Sequence, residues 1–125
     1  LTGGVPASLG KCAKLKTLSL GTNQLDGPIP NELGQCGELE GLHLQENQLT
    51  GGVPASLGKC AKLKTLRLDI NKLEGTVPAT ELAKLTALTD LCLDENDGLT
   101  ITASGAQALK EALPNAQLFL PEEAD

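Results

Sequence analysis

Three side chains with chemical reach stand at matching places in this sequence: His43 in GLHLQEN, Arg67 in TLRLDIN and Cys92 in DLCLDEN. Each is followed by a leucine and then by a polar residue, Gln45, Asp69 or Asp94. A histidine can move a proton near neutral pH, an arginine can clasp a carboxylate, and a cysteine can act as a nucleophile when its thiolate is stabilised. Catalysis asks for more than these types. His43 is the only histidine, and Glu46, three residues on, stands beyond a strand end where no acid/base pair is defined. No Ser-His-Asp arrangement, phosphate-cradling glycine loop or metal-ligand pattern accompanies them. Asp94, Glu95 and Asp97 in DENDG lack the ligand spacing and closing glutamate of a calcium loop. The chain is therefore expected to be no enzyme and to need no cofactor or metal.

The elements that must hold these residues are repeats. Residues 1–18, LTGGVPASLGKCAKLKTL, are identical to residues 49–66, and a third copy of the frame lies between them. Asn23, Asn47, Asn71 and Asn96 fall 24, 24 and 25 residues apart, each with leucines three and five residues before it. The frame reads L-x-x-L-x-L-x-x-N-x-L-x-G-x-(I/V)-P. Leucines two apart point to one side of a strand and the residues between them to the other. Strands are predicted near residues 16–20, 40–44, 64–68 and 89–93. The asparagine amide, which both donates and accepts, is placed to satisfy backbone groups of its own coil and of the next. The glycines and prolines that follow predict a return limb that is irregular or short-helical, because proline stops a sheet.

The frame, with its L-x-G-x-(I/V)-P segment and its LG(K/Q)C stretch, resembles the plant-type leucine-rich repeat of receptor-kinase ectodomains and polygalacturonase inhibitors. The resemblance covers about residues 1–102. It implies an α/β fold: a right-handed solenoid with a parallel sheet on its concave face and an irregular or short-helical convex side. One coil cannot bury its leucines alone, whereas stacked coils share a continuous core.

The fourth unit departs from the frame. Its return limb is one residue longer, and SGAQALKEALP follows in place of G-x-(I/V)-P. Ala106, Leu109 and Leu113 have helical spacing, Ser104 is the expected N-cap, and Pro114 lies just past the end. In AQLFL, Ala116, Leu118 and Leu120 are expected inward and Gln117 and Phe119 outward. This portion resembles a repeat of the ribonuclease-inhibitor type. Residues 1–125 thus read as a single domain: about four repeats over 1–102, opening in mid-repeat at Leu1, and a cap of helix, strand and acidic tail over 103–125. PEEAD is expected to be solvated. The mid-repeat opening reads as a fragment of a larger protein.

Composition narrows the partners. The formal net charge is -6. It is uneven: residues 1–80 hold eight Lys/Arg and seven Asp/Glu, and residues 81–125 hold two and nine. An acidic end repels phosphate backbones, so nucleic acid is excluded and a basic patch on a protein or peptide is favoured. No stretch approaches the roughly 20 apolar residues that span a bilayer. Cys12, Cys36 and Cys60 recur every 24 residues and are expected to face the core. Parallel placement in successive coils suits no disulfide. Cys92 is expected to point out of the sheet as an incidental exposed thiol. Free thiols without an N-x-S/T sequon favour a reducing compartment, while the plant-type resemblance implies an extracellular one.

These readings point to a monomeric, non-catalytic scaffold that binds a protein or peptide on the concave face. The candidate contact residues are His43, Gln45, Glu46, Arg67, Asp69, Asp90, Cys92, Asp94 and Phe119. The resemblance implies, as alternatives, an extracellular enzyme inhibitor or receptor-like recognition of a wall- or pathogen-derived ligand. A structural spacer is the third reading. An ice-matching lattice is disfavoured, because Thr17 and Thr65 are answered by Gly41 and Asp90.

Overall fold

The alternation of leucine with polar residues produces short parallel strands, and the 24-residue period sets them side by side. A computed structural model describes residues 1–124. Strands Thr17–Ser19, Gly41–His43, Thr65–Arg67, Asp90–Cys92 and Gln117–Phe119 form one five-stranded parallel sheet in chain order. Each lies within the span predicted from the leucines, and each is three residues long. The architecture is a leucine-rich solenoid with this sheet on its concave face.

Behind the sheet the leucines form one core. Leu33, Leu39, Leu42, Leu44, Leu66, Leu68, Leu91 and Leu93 are all fully buried. Leu15 and Leu20 in the first coil and Leu118 and Leu120 in the last are only partly buried. An end coil has one neighbour, so part of its leucine surface goes uncovered. The same geometry corrects the reading of Cys12. Cys36 and Cys60 are buried as expected, with their thiols directed at the carbonyls of Leu9 and Leu33. Cys12, at the equivalent place in the first coil, is exposed.

The asparagines tie the coils together. Asn47 accepts from the Leu25 amide at 3.0 Å and donates to Leu20 of the preceding coil at 2.9 Å. Asn71 and Asn96 repeat the pattern one coil on, accepting from Leu49 and Leu73 and donating to Leu44 and Leu68. Each amide thus satisfies otherwise orphaned, buried backbone groups.

The return limb is more regular than predicted. Thr2–Gly3, Gln24–Pro28 and Gln48–Thr50 form a second parallel sheet, and Glu74–Thr76, Gly98–Ile101 and Glu122–Glu123 a third. Pro28 ends its strand, a position where no ladder N–H is required. The acidic tail is correspondingly not free. Glu122 and Glu123 pair with Thr100 and Ile101, and the Ala124 amide donates to Ile101; Asp125 lies outside the described residues.

The convex side carries 3-10 turns at Ala7–Lys11, Asn31–Gln35 and Ala55–Lys59, then α-helices at Ala79–Leu82 and Ala103–Ala112. Prolines 6, 30 and 54 precede the turns with φ near the value their rings impose. The last helix is capped by Thr102, whose hydroxyl accepts from the Gly105 amide at 2.9 Å, and not by Ser104. Ser104 sits inside the first turn because the helix begins at Ala103, two residues earlier than an N-cap at Ser104 implies.

Candidate functional site

The ladder register assembles the outward residues into columns. Ser19, His43, Arg67, Cys92 and Phe119 are successive partners across the five strands. Adjacent members stand about 4.8 Å apart, the spacing of paired strands. Thr17, Gly41, Thr65, Asp90 and Gln117 form the parallel column. The three chemically active residues singled out in the sequence are therefore neighbours, with Phe119 added at the end.

Their side chains are not equally available. Arg67 folds back along its own strand end to Asp69, with Nε donating to Oδ1 at 3.2 Å and Nη2 to Oδ2 at 2.9 Å. Asp69 is only 5% exposed. It lies beneath the guanidinium as a support for Arg67 and is not itself free on the surface. This pairing holds Arg67 above its ordinary pKa. The His43 ring lies back over Gly41, with Nε2 3.1 Å from where a Cβ would stand, so a larger residue at 41 would displace it. Gln45 lies in the same way across Gly21, and its Oε1 is buried without a hydrogen-bond partner among the described residues. Asp90, Cys92 and Asp94 are half-exposed in a row along one strand and its continuation. Phe119 is 49% exposed.

One feature of the rim carries no sequence signal. Thr22, Glu46, Ile70 and Glu95, each directly before its asparagine, have φ between 55° and 57°. This is the left-handed region that glycine or asparagine usually fills, and it is strained for β-branched threonine and isoleucine. Backbone bonds such as Asn47 to the Ile70 carbonyl at 3.2 Å hold the turn. Ile70 is left 40% exposed at the rim.

Cys92 departs from a reactive thiol. Burial raises its pKa, and Asp69, Asp94 and Asp90 raise it further against the opposing pull of Arg67. At neutral pH it stays protonated. Titration of the native chain with a thiol reagent is expected to modify Cys12 first and Cys92 slowly, with Cys92 accelerating only above the ordinary thiol range. Cys36 and Cys60 are expected to react only on unfolding. Mass mapping of the first labelled peptide checks the order.

Among the described residues no group of three or more His, Cys, Asp or Glu side chains could hold a metal ion. No helix among them is long and apolar enough to cross a membrane.

The Leucine Rich Repeat family pattern matches residues 14–36 and 38–60. Two solved structures extend the likeness over most of the chain. The Arabidopsis receptor kinase HAESA, in complex with the peptide hormone IDA and the co-receptor SERK1, is 35% identical over 87% of this chain, with a TM-score of 0.78. The ectodomain of the receptor kinase SOBIR1 from Arabidopsis thaliana is 28% identical over 98% of it, with a TM-score of 0.80. The chain is built of leucine-rich repeats similar to those of plant receptor ectodomains.

The leucine-rich repeat chain spans 18% of the HAESA chain and 64% of the SOBIR1 chain. It is also similar to a plant ice-binding protein, 36% identical over 80% of this chain and 32% of that one, with a TM-score of 0.75. Comparison with curated proteins finds no match.

Proposed function

We propose that this leucine-rich repeat protein is a non-catalytic recognition module that binds a protein or peptide segment across its concave sheet. The observation that carries the reading is the column Ser19, His43, Arg67, Cys92 and Phe119. These positions are aligned by the ladder, yet none repeats its neighbour, while the leucines behind them repeat faithfully. A rigid sheet that displays a non-repeating row is suited to reading one particular partner. Structures of the same fold bound to a peptide hormone support the direction. Residues 1–125 act in this reading as a single monomeric domain. The contacts are His43, Gln45, Glu46, Arg67, Asp90, Cys92, Asp94 and Phe119, with Asp69 fixing Arg67.

Likeness to an ice-binding protein does not extend to a lattice on this face, because Thr17, Gly41, Thr65, Asp90 and Gln117 offer no uniform row.

Selection from a displayed random-peptide library tests the reading. Peptides selected on the native chain are expected to lose binding to Thr65→Arg, which crowds the sheet while leaving the Arg67–Asp69 pair in place. They are expected to keep binding to Lys59→Glu on the convex turn. The reverse pattern sinks the proposal.

A further inference from the structure

The charge on the concave sheet is unbalanced in a way the ladder makes visible. Its one guanidinium, Arg67, is already paired with the buried Asp69. Asp90, Asp94, Glu46 and Glu95 form no ion pair among the described residues. Asp90 and Asp94 flank Cys92 at two residues on either side, and so point the same way, each about 6.6 Å from it along the chain. Phe119 lies next to Cys92 on the adjoining strand and is the only aromatic residue in the chain.

We propose that the occupant of this sheet is an extended basic segment of a partner, with one lysine or arginine seated over Cys92 between Asp90 and Asp94 and against the face of Phe119. This rests on the concave-face reading and adds the chemistry of the ligand. A cation at that place gains from two half-exposed carboxylates and from the ring quadrupole. The strand neighbour Arg67 does not oppose it fully, since Asp69 offsets that charge. The Cys92 thiol is pushed up first by burial and then by Asp69, Asp94 and Asp90 against the pull of Arg67, in keeping with that placement of charge. A bare metal ion is a poor substitute, because no three ligating side chains converge among the described residues. The apolar rim residue Ile70, 40% exposed, suits a peptide with aliphatic residues near its cations.

Fluorescence anisotropy with three labelled peptides, alternating alanine with arginine, serine or glutamate, provides the test on the full chain at physiological salt. The arginine peptide is expected to bind, and Asp90→Asn with Asp94→Asn to weaken it about tenfold, the scale of two lost charge contacts. Phe119→Ala is expected to weaken it by roughly threefold, the scale of one exposed cation–aromatic contact. Glu32→Gln with Glu111→Gln on the convex side removes the same net charge and is expected to change nothing. Equal binding of the serine or glutamate peptide, or equal loss in the convex control, overturns the inference. Library peptides that Thr65→Arg blocks but that contain no lysine or arginine also overturn it, while leaving concave recognition standing.

Discussion

Asn71→Ala is expected to cost about 3–5 kcal/mol of folding stability, because it strands several buried backbone groups at once. The Asn71 Oδ1 accepts from the Leu49 amide at 3.0 Å. Its Nδ2 donates to the carbonyls of Leu44, Leu68 and Asp69 at 3.0–3.2 Å. An alanine leaves these groups facing a gap between two leucine-filled coils. Each unpaired buried group costs about 1–3 kcal/mol, partly relieved if water enters. In a chain of this length the loss lowers Tm by roughly 10–20 °C, measurable by calorimetry. The same substitution at Asn23, which is not buried and faces the first coil's open side, is expected to cost distinctly less. Equal losses at both positions contradict the ladder as the source.

Gly34→Val is the second large effect, expected at about 2–4 kcal/mol from forced separation of adjacent coils. A Cβ at Gly34 would stand 2.5 Å from the Ser56 carbonyl oxygen and 2.7 Å from the Ser56 Cβ. The obstacle is backbone, which cannot swing aside as a flexible side chain can. Ser56 is also held in place by a 2.7 Å hydrogen bond from its hydroxyl to the Asn31 carbonyl. Gly37→Ala makes the matched control. Nothing lies within 4 Å of a Cβ there, and its φ is not in the left-handed region. Urea denaturation is expected to show a lower midpoint for Gly34→Val and no loss for Gly37→Ala.

These two positions illustrate what a single sequence discloses. Period, leucine alternation and the asparagine place are visible because a stack imposes the same demand on every coil. The second and third sheets were hidden because L-x-G-x-(I/V)-P reads as punctuation, although Gln24–Pro28 and its counterparts pair for a few residues before the chain turns. The Cys12 exposure follows from being in an end coil, which the repeat pattern alone does not distinguish from an inner one. At the candidate site, alternation placed His43, Arg67, Cys92 and Phe119 on one face, and the register confirmed their adjacency. It did not show that Asp69 sinks beneath Arg67. Strand parity gives the side a residue faces; it does not show which neighbour claims its charge. The left-handed rim positions were invisible for a related reason, since Thr22, Glu46, Ile70 and Glu95 are types that rarely mark such a backbone.

The most direct measurement is amide chemical-shift mapping of the isotope-labelled chain with a peptide selected on it. Concave recognition predicts the largest shifts in Thr65–Arg67, Asp90–Cys92 and Gln117–Phe119, with the rim residues Ile70 and Glu95 following. Shifts concentrated in Asn31–Gln35, Ala55–Lys59 and Ala103–Ala112, with the five-stranded sheet unmoved, contradict it.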